Sequence, residues 1–132
     1  MPAVPYIHFG GNCREAMEAY ARILKGTLEL MTYADAPPDA GLTPTTDLVM
    51  HSALTLPDGA QIFAADAPPH MYVKPQGFAV SVHPADTAEA AQIFDALAEG
   101  GTVVMPLDKT FWAQAFGMVN DKYGINWMVN VA

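Results

Sequence analysis

The sequence predicts an α+β fold: two βαβββ modules whose antiparallel or mixed sheets form a cup, with the helices on its outer face. Three observations predict it. Each half of the chain runs through one strand, one helix and three strands. The halves superpose on a shift of 74 residues, which places Asn12 on Asp86, Tyr20 on Phe94 and Gly26 on Gly100, so that helix cap, apolar helix residue and helix stop coincide. The chain of 132 residues is 52% hydrophobic and only 15% charged, enough apolar material for a real core without staples. Residues 1–132 are expected to form a single domain, with modules at about 1–67 and 76–132.

Val4 to Phe9 is a short apolar run with Pro5 at its entrance, where a strand tolerates proline. Gly10-Gly11 breaks it, and Asn12 is the expected N-cap of a helix. Ala16, Met17, Tyr20, Ile23 and Leu24 then recur at helical spacing, with charged residues on the other face. Gly26 stands where a C-cap glycine belongs. Leu28–Tyr33 reads as a strand, 34–46 as a proline-rich loop, and Leu48–Leu56 and Gln61–Ala65 as a hairpin about Pro57-Asp58-Gly59. In the second half Phe78–His83 is the strand and Asp86 the cap. Ala90, Ala91, Ile93, Phe94 and Leu97 line the helix, which Gly100-Gly101 stops. Thr102–Met105 is a strand, 106–114 a loop, and Phe116–Asn120 and Ile125–Val131 a hairpin across Asp121–Gly124.

Six Lys/Arg against fourteen Asp/Glu give a net charge of −8, a field that repels a phosphate backbone and argues against nucleic acid as a partner. One cysteine, Cys13, permits no internal disulfide. The opening residues lack a basic segment followed by a long apolar run, and no apolar stretch is long enough to cross a membrane. A cytoplasmic location and no membrane partner are expected.

Pro5-Tyr6-Ile7-His8-Phe9, Gly11-Asn12-Cys13, Ala16 and Tyr20 resemble the opening of PhnB-like proteins, a branch of the vicinal-oxygen-chelate superfamily (glyoxalase, bleomycin resistance, dihydroxybiphenyl dioxygenase). The resemblance continues through His51, Asp66, Thr110-Phe111-Trp112-Ala113, Phe116-Gly117, Asp121-Lys122-Tyr123-Gly124 and Trp127-Met128-Val129-Asn130, so it spans the chain. This branch is sometimes labelled a 3-demethylubiquinone methyltransferase. The chain has no G-x-G-x-x-G loop leading from a strand into a helix, as a nucleotide-type cofactor would want. Metal-dependent members of the superfamily carry ligands on the first and last strand of each module. The resemblance puts those positions at Pro5, at Phe63 or Ala64, near Phe78 and at Met128, none of which ligates a divalent ion in this setting. No metal ligand stands at the usual site and no cofactor is expected there; a divalent metal held unusually through His51 is the alternative.

The remaining chemistry is sparse. If Pro5 marks the cup face, His8 points toward the helices. His51 borders the cup and is the one weak catalytic candidate, as base or hydrogen-bond partner. His70 and His83 read as surface residues. Cys13 at a helix start is either a reactive thiolate or a small inert residue, the latter favoured by the lack of a neighbouring histidine. Asp66 is either a pocket carboxylate or a loop cap. A ligand pocket lined by His51, Phe63, Asp66, Phe78, Trp112, Phe116, Trp127 and Met128 is expected, with core packing the competing role for Trp127. The residues therefore suggest a metal-free small-molecule binder of glyoxalase/bleomycin-resistance type, for a cationic or aromatic ligand. The alternative is an enzyme of the same class (lyase, isomerase or group transfer) acting in the same cup. Open sheet edges and exposed tryptophan suggest a homodimer. Dialysis against EDTA is expected to leave thermal stability unchanged. A fall in Tm of more than about 4 °C, which roughly 1 kcal/mol produces in a domain of this size, would contradict it.

Overall fold

The computed structural model describes residues 1–35 and 47–132, so most of the expected loop 34–46 lies outside the described residues. Two compact units emerge, Met1–Lys74 and Pro75–Ala132, each one βαβββ module.

The first unit contains β1 (Tyr6–Phe9), α1 (Cys13–Leu24), β2 (Thr27–Thr32), a 3-10 turn at Tyr33–Asp35, β3 (Val49–Thr55) and β4 (Gln61–Asp66). Its sheet order is β1-β4-β3-β2. β1 runs parallel to β4, because the helix carries the chain back across the sheet; the other pairs are antiparallel. Helix α1 packs on β2, β3 and β4 through Ala16, Met17, Tyr20 and Leu24, all buried. Ile7, Phe9, Leu54, Ile62 and Ala64 meet it from the sheet.

The second unit contains β5 (Val80–Val82), α2 (Thr87–Ala98), β6 (Thr102–Asp108), β7 (Ala115–Asn120) and β8 (Asn126–Val131), in the order β5-β8-β7-β6. Its helix spans the first helix's residues shifted by 74, so the duplication expected from the sequence holds to the residue there. β5 again runs parallel to the last strand of its module. Ala90, Ile93, Phe94 and Leu97 pack on the face formed by Val80, Val119, Trp127 and Val129. Gly117 is needed there, because a Cβ would lie 2.7 Å from the Phe94 ring. β6 is an edge strand with two register shifts, Pro106 within it, and Val103, Val104 and Met105 exposed. It runs three residues past the expected Met105 into the predicted loop.

Two helix ends differ from expectation. The α1 stop in the left-handed region is Lys25 (φ 57°), not Gly26. Gly26 serves close approach instead: a Cβ there would meet Leu54 Cδ1 at 2.7 Å and the Thr55 carbonyl at 2.8 Å. In α2 the stop falls on glycine as expected, with Gly100 at φ 74°.

At the other end, Asn12 makes no side-chain cap. Asp66, from the end of β4, does its work. Its Oδ1 accepts from the backbone N–H of Gly11 and Cys13, each at 3.0 Å, and its Oδ2 from Val49 N–H at 2.9 Å. The α2 start is capped locally, Asp86 Oδ1 accepting from Glu89 N–H at 2.8 Å, as the sequence predicts. Asp121 plays a corresponding part in the β7–β8 hairpin. It is buried, accepts from Tyr123 and Ile125 N–H, and takes Trp127 Nε1–H at 2.8 Å.

Removing a buried acceptor strands its donors, at about 1–3 kcal/mol for each group left unpaired. Asp66→Ala is therefore expected to lower unfolding free energy by roughly 2–4 kcal/mol in urea titration. Asn12→Ala should change it by less than about 0.5 kcal/mol, since no side-chain cap is lost. Equal effects would contradict the assignment of the cap to Asp66.

Candidate functional site

In the first unit the sheet face turned away from α1 collects four rings. β1 alternates exposed and buried from Tyr6 to Phe9. Ile7 and Phe9 are 1% and 2% exposed, so Tyr6 and His8 occupy the other face. This reverses the expectation that His8 points toward the helix. The apolar pair that meets α1 fixes the strand's parity, and Pro5 lies outside the strand. The register pairs Tyr6 with Phe63 on β4, putting that ring on the same face.

His51 reaches this face by the alternation of β3: Ser52 and Leu54 are buried toward α1 and Ala53 pairs with Phe63, so His51 falls on the ring side, just after a β-bulge. The β2–β3 register runs Met31 to His51, then Thr32 to Val49, leaving Met50 as the extra residue. Val49 is thereby buried with its N–H on Asp66, while His51, two residues on, points the other way. Bulges commonly re-aim a side chain in this manner.

The cluster is tightly interlocked. Tyr6 Oη lies 3.0 Å from His51 Nδ1. The Tyr6 and His8 rings stack with centroids 5.1 Å apart and planes at 30°. Phe63 meets His51 edge-on at 5.2 Å and Tyr6 edge-on at 6.2 Å. Such offset and edge contacts are the favourable geometries for quadrupolar rings. Tyr6 remains 42% exposed, and His51 and Phe63 are half-buried. Partial burial first, then the neighbouring Cys13 and Tyr33, raise the Tyr6 hydroxyl's pKa above its ordinary value, so it holds its proton near neutral pH.

The other expected pocket residues are distributed differently. Asp66 is 3% exposed and its carboxylate faces backbone N–H groups rather than the ring cluster. Trp127 is wholly buried on the helix side of its sheet, held by Asp121, so it is core rather than pocket wall. Met128 faces the opposite way, paired with Met118. Phe111, Trp112 and Phe116 form a run of edge-to-face contacts at 4.8 and 5.4 Å. Phe111 and Trp112 are exposed, Phe116 is buried, and Phe78 lies exposed ahead of β5. The residues missed by sequence reasoning are Tyr6 and His8. The signal available was the alternation Tyr-Ile-His-Phe, which puts the two polar rings together on one side.

A divalent ion does not fit the donors present. Among the described residues no three His, Cys, Asp or Glu side chains gather around one point. His51 Nδ1 is engaged with Tyr6, and Asp66 is committed to the backbone.

Cys13 is fully buried, with its Sγ 3.8 Å from Ser52 Oγ. Burial pushes the thiol from its ordinary 9.0 up to about 12; the Ser52 hydrogen bond opposes this, the nearby Asp66 charge adds to it, and Arg14 opposes it least. It is an inert core residue, as the absence of a histidine partner suggests.

The comparisons with known proteins follow the same fold. Residues 2–130 match the family model described as 3-demethylubiquinone-9 3-methyltransferase. Protein YjdN of Escherichia coli K12 is 32% identical over 141 aligned positions, covering 99% of this chain and 95% of that protein. The crystal structure of protein PA1353 from Pseudomonas aeruginosa shares 42% identity with a TM-score of 0.90, covering 99% of this chain and 97% of the other. A PhnB protein from Bacillus cereus is similar at 25% identity and TM-score 0.80 over the whole of both chains. At 21% identity and TM-score 0.59, a glyoxalase/bleomycin-resistance/dioxygenase superfamily member from Sphaerobacter thermophilus, covering 100% of this chain and 98% of its own, shares the fold.

The raised thiol gives a pH prediction. The folded state favours neutral Cys13, so this contribution to stability is complete below pH 9 and is lost as pH rises from 9 toward about 12. The urea midpoint of wild type minus that of Cys13→Ala should therefore fall across that window. Native alkylation by iodoacetamide at pH 8 should run on the order of a thousandfold slower than that of a free cysteine. Rapid native labelling would contradict it.

Proposed function

From the premise that this chain belongs to the PhnB-like family, whose model is described as 3-demethylubiquinone-9 3-methyltransferase and whose fold is that of the glyoxalase/bleomycin-resistance superfamily, we propose that it is a small-molecule binding protein using the ring-bearing face of its first unit. One observation carries the reading: Tyr6, His8, His51 and Phe63 converge on one sheet face, half-exposed and in mutual contact. Ring faces give a planar ligand a large contact area at little entropy cost. They also attract a cation, which the net charge of −8 would draw toward the molecule. An aromatic or cationic ligand, bound without a divalent metal, is the occupant this chemistry favours. A homodimer in the cytoplasm fits the reading. No helix among the described residues is long and apolar enough to cross a membrane.

A methyl transfer is not part of this proposal, because the strand-to-helix turn at Gly10-Gly11-Asn12 lacks the G-x-G-x-x-G spacing that would hold a nucleotide-type cofactor. The second reading, an enzyme of the same class, draws on one contact, the Tyr6–His51 hydrogen bond. A phenol and an imidazole in contact can pass a proton to or from a bound molecule.

The test is a thermal-shift screen of aromatic and cationic small molecules, followed by titration of the hits. Phe63→Ala and His51→Ala are each expected to weaken binding by about tenfold, the loss of one aromatic or hydrogen-bonding contact. Phe111→Ala, at an exposed ring of the second unit, should leave it unchanged. Hits insensitive to both first-unit substitutions would place binding elsewhere.

A further inference from the structure

His51 can exist as two neutral tautomers, and only one presents an N–H at Nε2. We propose that Tyr6 is a positioning residue that donates its hydroxyl proton to His51 Nδ1, fixes His51 as the Nε2–H tautomer, and so selects an aromatic ligand bearing a hydrogen-bond-accepting oxygen.

The 3.0 Å contact joins Tyr6 Oη to His51 Nδ1, and among the described residues no hydrogen bond engages Nε2. A phenol is a better donor than a neutral imidazole N–H, and an imidazole nitrogen is a better acceptor than a phenol oxygen. The bond therefore runs from oxygen to nitrogen. The raised ionisation of Tyr6 acts in the same sense, since the proton to be donated is retained.

Ring contacts hold both partners in place. His8 stacks on Tyr6, and Phe63 braces His51 edge-on. Tyr6 sits on β1 and His51 on β3, with Phe63 of β4 lying between those strands in the sheet and touching both rings. A rotation of either ring would break an aromatic contact as well as the hydrogen bond. Nε2 lies across the imidazole from the tethered Nδ1, so its proton is directed away from Tyr6.

A ligand on this face would meet ring surfaces for a planar apolar body and one N–H donor at a fixed place. A carbonyl, an ether or an ionised oxygen on an aromatic skeleton satisfies both. An aromatic molecule with only donor groups would leave that N–H unpaired, which discriminates strongly when the site closes over it. This inference deepens the binding-face reading above and names the ligand class. Its tautomer component concerns the free protein and stands or falls separately.

The experiment is long-range ¹⁵N–¹H correlation spectroscopy of ¹⁵N-histidine-labelled protein near pH 8, where the neutral imidazole tautomers give distinct nitrogen shifts. His51 is expected as the Nε2–H form in wild type and as a mixture in Tyr6→Phe, which keeps the ring and loses the hydroxyl. Phe111→Ala, at an exposed ring of the second unit, should leave the tautomer in place. An Nδ1–H form in wild type, or no change in Tyr6→Phe, overturns the positioning role whatever binds. In the same samples benzamide, which carries an acceptor oxygen, should shift the His51 Nε2 resonance, and should do so several-fold more weakly in Tyr6→Phe; benzylamine should give the smaller shift in wild type. If the tautomer is as stated but benzylamine perturbs His51 more than benzamide, the ligand class is overturned. If both probes bind and neither perturbs His51 or His8, the binding-face reading itself fails.

Discussion

The first unit depends on one carboxylate. Asp66 is nearly completely buried, and its two oxygens take three backbone N–H groups from two distant stretches, the start of α1 and the start of β3. It replaces the local cap that Asn12 does not provide, so the β1–α1 turn is tied to the end of β4 rather than to its own sequence. The same residue lies beside Phe9 in the parallel register. Through Val49 it also anchors β3 just before the bulge that precedes His51. The strands bearing Tyr6, His51 and Phe63 are thus brought together by a group that never faces the rings. Its hydrogen bonds are charge-assisted and sheltered from water, the setting in which such bonds are strongest.

How far the sequence reveals this can be argued from particular positions. Helical periodicity places both helices, and Asp86 is visible as a cap because its partner is three residues away. Asp66 is invisible as a cap because its partners are up to 55 residues away. The face of β1 is ambiguous by hydropathy, since Tyr6, Ile7 and Phe9 are all bulky and apolar. Only packing against α1 decides which of them turn inward. His51 is placed by the alternation of β3, opposite Ser52 and Leu54, whereas the burial of Val49 is not legible, because the one-residue bulge at Met50 is not written in that alternation. Trp127 illustrates the reverse case: a large aromatic near a family-like motif is drawn into the core once Asp121 supplies its indole N–H with a partner.

The two modules share a scaffold and have parted in chemistry. The helices match residue for residue in extent, and both sheets pair their first strand with their last in parallel. The faces turned from the helices differ. One carries two imidazoles, a phenol and a benzyl ring; the other carries Phe116, Met118, Met128, Asn126, Asn130 and Ser81, the last bonded to His83 at 3.0 Å. A buried aspartate recurs as a clamp in each unit, but at different places, Asp66 at a strand end and Asp121 in a hairpin. Duplication kept the architecture and left the surface of each copy free to specialise.

The edge strand β6 has a further consequence for how the molecule meets other chains. Its exposed Val103, Val104 and Met105 would make an adhesive ribbon if the backbone beside them could accept another strand. Pro106 offers no N–H, and the register shifts on either side of Met105 disturb the spacing of the remaining groups. An incoming strand finds no regular ladder to extend. The edge can be sticky through its side chains while its backbone irregularity opposes templated, amyloid-like growth at that strand.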